Sequence, residues 1–80
     1  KVVLVKSAVE AEFLANEQGL SRDEWGLLHN EDIELYALTM YDSLRLFDLQ
    51  LKRYVYAVLP SSNGMGEAVR DRLRKASAQP

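Results

Sequence analysis

Arg53-Tyr54-Val55-Tyr56-Ala57-Val58-Leu59-Pro60 is the stretch on which the fold of this 80-residue chain turns. Aromatic and β-branched side chains fill it and Pro60 ends it, which is the chemistry of a strand. Two periodicities compete in the residues around it. Met40, Leu44, Phe47, Leu51, Tyr54/Val55 and Val58 recur at steps of three or four, as in a helix. Phe47, Leu49, Leu51, Arg53, Val55, Ala57 and Leu59 occupy alternate positions, as in a strand. Residue type decides for a strand over 53–59, and residues 31–50 become a helical or irregular crossover, with a break near Thr39–Ser43. The alternative is an α+β fold with an antiparallel pair within 44–59.

Working outward, Val2-Val3-Leu4-Val5 is a continuous apolar run that suits a strand covered on both faces. Ser7-Ala8-Val9-Glu10 has the form of a capping box, with the Ser7 hydroxyl and the Glu10 carboxylate exchanging backbone amides. A helix over Ala8–Gln18 follows, with Val9, Phe13 and the Ala8/Ala11/Ala15 row as its core stripe. Gly19 suits a left-handed position after the helix, and Leu20 then folds back onto Ala15. Trp25-Gly26-Leu27-Leu28 reads as a second strand, ended by His29-Asn30, and Asn30 can cap the next segment. Pro60-Ser61-Ser62-Asn63-Gly64-Met65-Gly66 is a breaker cluster and hence a loop. Glu67–Ala76 is a last helix with Met65, Val69, Leu73 and Ala76 along one stripe, and residues 77–80 form a fraying tail.

Strands alternating with helices predict an α/β domain of βαβ(α)βα form with a three-stranded parallel sheet and flanking helices. The right-handed crossover rule suggests the order 2-1-3, with the first strand central. At 9.1 kDa the chain is a single domain, 1–80, with a thin core.

Composition narrows the function. The chain has no cysteine and one histidine, which excludes disulfides and thiolate zinc sites and predicts no metal site or cofactor. No apolar run is long enough for a membrane span and no signal-peptide pattern opens the chain, so a cytoplasmic protein without a membrane partner is expected. The net charge of −2 divides unevenly. Residues 1–40 hold three basic against eight acidic side chains, and residues 41–80 hold seven against four. A pI of about 5.3 argues against nucleic acid as a partner despite Arg70, Arg72, Arg74 and Lys75 on the last helix.

Four features are candidates for function, and each has a plainer structural reading. Ser61, Ser62, Asn63, Gly64 and Gly66 lie beyond the carboxyl end of a strand, where α/β sheets present ligand crevices, and can form an anion-binding loop. No Walker or dinucleotide fingerprint is present, and a flexible turn explains the same residues. His29 falls on the same sheet edge and can be imagined as a base, but no spacing supplies a group to orient it. Glu31-Asp32-Ile33-Glu34 suits either a hard cation or a helix start. Tyr54 and Tyr56, on one strand face, together with Tyr41 suggest an interaction surface for a protein partner or a second copy, unless the crossover covers them. No catalytic constellation is recognisable.

Glu10-Ala11-Glu12, Ala15, Glu17, Gly19-Leu20 and Trp25 resemble small proteins of actinobacterial phages, a likeness carried mainly by residues 1–29. That resemblance implies a phage accessory protein that is not an enzyme, binds a host protein in the host cytoplasm, and has no catalytic set. The expected function is therefore a small interaction protein that binds a host protein or associates with itself as a homodimer, since a marginal core is often completed by a second copy. The alternative is a phosphate- or nucleotide-binding α/β module using the 61–66 loop.

Overall fold

Local signals start and stop each helix. Ser7 caps the first one, its hydroxyl accepting from the Glu10 amide at 3.2 Å. The Glu10 carboxylate reaches one residue further back than a capping box requires, accepting from the Lys6 amide at 3.2 Å. At the other end Gly19 adopts φ 69°, and the amides of Gly19 and Leu20 donate to the Asn16 and Ala15 carbonyls. This pair of bonds is a Schellman motif, and it seats Leu20 in the core beside Ala15 as its sequence implies.

A computed structural model describes residues 1–78. In chain order the elements are β1 (Val2–Val5), α1 (Ala8–Glu17), a 3-10 turn (Arg22–Glu24), β2 (Trp25–Leu28), α2 (Ile33–Leu49), β3 (Tyr54–Val58) and α3 (Met65–Ser77). Among the described residues the strands form one three-stranded sheet in the order β1-β3-β2. Both pairings are parallel, with Val3 beside Tyr56 and Leu27 beside Tyr56 from the other side. The α/β class and the parallel sheet are as the sequence predicts. The α+β alternative fails, because residues 44–49 belong to the uninterrupted helix α2. Of the tail expected over 77–80, Ser77 instead closes α3 and Ala78 caps it, and residues 79 and 80 lie outside the described residues.

The strand order differs from 2-1-3 at the centre: β3, rather than β1, holds the middle. Apolar residues on both faces of a strand require cover above and below, and do not by themselves require two hydrogen-bonded neighbours. Val2, Val3 and Leu4 are only half-buried at the edge, whereas Val55 to Val58 are buried without a break. Right-handed crossovers are compatible with this order. The chain passes over the place of β3 to reach β2 and then turns back, so the two crossover helices fall on opposite faces.

Alternate residues of the strands accordingly feed two cores. Val5, Trp25, Tyr56 and Val58 pack under Ala11 and Ala15 of α1. Leu28, Val55 and Ala57 pack under Tyr36 and Met40 of α2 and Val69 and Leu73 of α3. Val9 and Phe13, expected in the core stripe, are exposed on the outer face of α1. The reason is volume. Trp25 and Tyr56 fill the space between that helix and the sheet, with their rings edge to face at 5.5 Å. Only the alanine side of α1 is small enough to lie against them. Met65 is likewise exposed at the start of α3.

Candidate functional site

The carboxyl ends of β2 and β3 carry the two segments singled out for ligand chemistry, and parallel pairing brings these ends side by side. His29, Asn30 and Glu31 leave β2 on one side, and Pro60, Ser61 and Asn63 leave β3 on the other. Together with Ile33, Val58 and Leu59 they enclose an open cavity of about 280 Å³. Its floor is apolar and its rim is polar. Among the described residues its lining includes no lysine or arginine.

Tyr36 sets the distance between the two lips. It points from the first turn of α2 and is only 2% exposed. Its hydroxyl lies 2.7 Å from the Val58 carbonyl and 3.1 Å from the Leu28 carbonyl, so its one proton is shared between the last residues of both strands. Burial pushes this phenol up to about 12. A neutral donor is therefore fixed beneath the cavity throughout the ordinary pH range. Two further restraints hold the β3 lip. The Arg70 guanidinium donates to the Pro60 carbonyl at 3.0 Å, tying the loop to α3. Gly66 sits against the Ser61 backbone so closely that a Cβ there would overlap the Ser61 carbonyl oxygen. Gly64 turns the chain into α3 at φ 53°, a conformation open to glycine and strained for other residues.

The other lip is shaped by helix capping. Asp32, rather than Asn30, is the N-cap of α2, and its carboxylate accepts from the amides of Glu34 and Leu35 at 3.0 and 3.2 Å. Asn30 closes the preceding turn by accepting from the Asp32 amide at 2.9 Å, which leaves its side-chain NH2 for another partner. The acidic run Glu31–Glu34 is thus a helix start. Among the described residues no three His, Cys, Asp or Glu side chains are grouped to hold a metal ion.

His29 and the 61–66 loop, separate in the sequence, are therefore parts of one cavity. Ser61 and Asn63 line it, Gly64 and Gly66 shape it, and Ser62 is exposed nearby. The three tyrosines are not brought together. Tyr54 stacks on Tyr56 with centroids 6.1 Å apart, and Tyr56 is buried in the α1 layer, where burial raises its phenol above the ordinary value. Tyr41 stands exposed on α2, across the sheet from them. Beside this aromatic layer, Arg22 lies 4.3 Å over the Trp25 ring. Arg53 pairs with Glu24 at 2.9 Å. The Ser21 amide and Arg53 hold the Glu24 carboxyl below its ordinary range. Sequence reasoning missed Tyr36 and Arg70 as supports of the cavity. The available signal was a tyrosine inside the buried stripe Ile33-Tyr36-Met40, because a buried phenol needs a hydrogen-bond partner.

No helix among the described residues is long and apolar enough to cross a membrane. Comparison with curated proteins gives no match, nor does comparison with solved structures. Comparison with protein families does. The family described as threonylcarbamoyl-AMP synthase, C-terminal domain, matches residues 1–78. This match overturns the expected phage accessory protein, and with it the expectation of an interaction factor outside any enzyme. The misleading residues have structural jobs that many proteins share. Ala11 and Ala15 allow close approach to a sheet, Glu10 helps cap α1, and Gly19-Leu20 completes the Schellman motif. By its sequence along nearly its whole length, the chain belongs to the family of threonylcarbamoyl-AMP synthase C-terminal domains.

Proposed function

We propose that the domain serves a threonylcarbamoyl-AMP synthase by holding the nucleoside end of an adenylate in the cavity between His29–Glu31 and Ser61–Asn63. The observation that carries this reading is the convergence of both segments on one cavity at the carboxyl edge of a parallel sheet. That edge is where open α/β sheets take their ligands. The apolar floor of Ile33, Val58, Leu59 and Pro60 suits the face of a base. The Asn30 and Asn63 amides and the Ser61 hydroxyl suit its polar edge. Glu31 is placed to accept from ribose hydroxyls, as an acidic residue does in dinucleotide-binding folds.

Size and charge limit the ligand. At about 280 Å³ the cavity falls just below the range of roughly 300–1,000 Å³ for small-molecule sites. It suits one nucleoside-sized group. A triphosphate would meet Glu31 in the lining and Glu67 in the first turn of α3 with no lining cation to offset them. A single phosphate brings less charge against these two carboxylates. An enzyme that makes an adenylate works where nucleotides are, and the cytoplasm is the compartment this reading calls for.

Thermal-shift measurements with adenosine, AMP and inorganic phosphate test the reading. A ligand at 100 times its dissociation constant adds about 2.7 kcal/mol of stability. Adenosine and AMP should raise the Tm, and phosphate alone should not. No shift with either nucleoside ligand, or an equal shift with phosphate alone, would overturn it.

A further inference from the structure

Helix α2 is apolar on two opposite faces. Its inner face carries Tyr36, Met40, Leu44 and Phe47 against the sheet and α3. Half a turn away, Leu38 is 76% exposed and Leu49 74%, with Leu46 at 51% and Tyr41 at 55%. A surface helix normally has one apolar stripe, and a second one signals a second contact.

The outer stripe is symmetric about a point between Ser43 and Leu44. Leu38 and Leu49 lie equally far from that point on either side, and so do Asp42 and Arg45. At 100° per residue these four share an arc of roughly 60°, flanked by Tyr41 on one side and Leu46 on the other. Among the described residues the ion pairs are Arg53–Glu24 and Lys75–Asp71, so both Asp42 and Arg45 remain to be paired. We infer that this face of α2 pairs with the same face of a second copy of the chain, the two helices running antiparallel across a twofold axis near Ser43–Leu44. In that arrangement Leu38 lies level with Leu49 of the second copy, and Asp42 level with its Arg45. The symmetry repeats each contact, as an isologous interface requires. One helix face covers less than the roughly 800 Å² per partner of a standard interface, so the dimer is weak and depends on concentration.

The inference is independent of the adenylate cavity, whose lining includes none of the stripe's residues. Sedimentation equilibrium of the chain from micromolar to millimolar concentration tests it, with Asp42→Arg and Arg45→Glu as separate variants. Both side chains are exposed, and circular dichroism checks that the variants fold. Each variant places like charges opposite each other twice, and its dimer dissociation constant should rise about tenfold or more. Mixed in equal amounts, the two variants should recover association as a heterodimer, because every facing pair is again opposite in charge. A wild-type chain that stays monomeric at millimolar concentration overturns the inference. So does a mixture that associates no better than its separate components.

Discussion

Replacing Tyr36 with phenylalanine tests how the lips of the cavity are held. The substitution keeps the ring in the core and removes only the hydroxyl that bridges the Leu28 and Val58 carbonyls. Leaving buried carbonyl groups without this donor costs about 1–3 kcal/mol. At a midpoint of about 2 kcal/mol, the Tm of a domain this size falls by roughly 8–16 °C. Urea unfolding followed by the fluorescence of Trp25, which is buried against Tyr56, measures the difference directly. The pH dependence provides a second and sharper signature. Below pH 10 the phenol is neutral in both states and its contribution is fully present. Between its ordinary value of 10 and its folded value of about 12, the unfolded chain ionises first, so wild-type stability falls as pH rises. From pH 9 to pH 11 the gap between wild type and Tyr36→Phe should therefore narrow by about 1.3 kcal/mol. The remaining tyrosines are the same in both proteins and cancel from the difference. A gap under about 0.5 kcal/mol at pH 7, the size of an ordinary surface change, would refute the bridging role. A gap that stays constant with pH would refute the buried neutral phenol.

Two further substitutions have effects of opposite sign. Gly66→Ala puts a methyl group into the Ser61 carbonyl, where backbone must move, and should cost about 1–3 kcal/mol in urea unfolding while displacing the Ser61–Asn63 lip. Leu51→Gly should stabilise the chain. Leu51 holds φ 58° after α2, is largely exposed, and completes a Schellman motif in which the Lys52 amide donates to the Phe47 carbonyl. The left-handed position costs a non-glycine residue roughly 1–2 kcal/mol, and glycine's extra backbone entropy returns about half of that. The expected net gain is about 0.5–1 kcal/mol, visible as a Tm rise of several degrees.

Much of the fold is legible in the residues themselves. Ser7, Gly19-Leu20 and Pro60 mark element ends, and β-branched and aromatic residues identify β3 as a strand. The central place of β3 is not written in that way. Val2–Val5 is as apolar as Tyr54–Val58, and only the loss of exposure along a whole strand distinguishes a middle position from an edge. The outer face of α1 misleads for a related reason. Periodicity finds two rows, Val9/Phe13 and Ala11/Ala15, and the choice between them depends on how much space Trp25 and Tyr56 leave. At the candidate site, His29 and Ser61–Gly66 could each be placed on the ligand-bearing edge. Their joining around one cavity required β2 and β3 to be neighbours, and the expected order had separated them by β1. Tyr36 was hidden because its role depends on two carbonyls, eight and twenty-two residues away. The family likeness, drawn from helix and cap residues, had no comparable tie to the site.

Binding of an adenylate by its nucleoside end at the carboxyl-edge cavity should be visible residue by residue. Titration of the isotope-labelled chain with AMP, followed by amide NMR shifts, tests it most directly. Saturable shifts concentrated at His29–Ile33 and Val58–Gly66 are expected, with the exposed face of α2 unmoved. Saturation without shifts at those two segments, or no shifts at millimolar AMP, would contradict it.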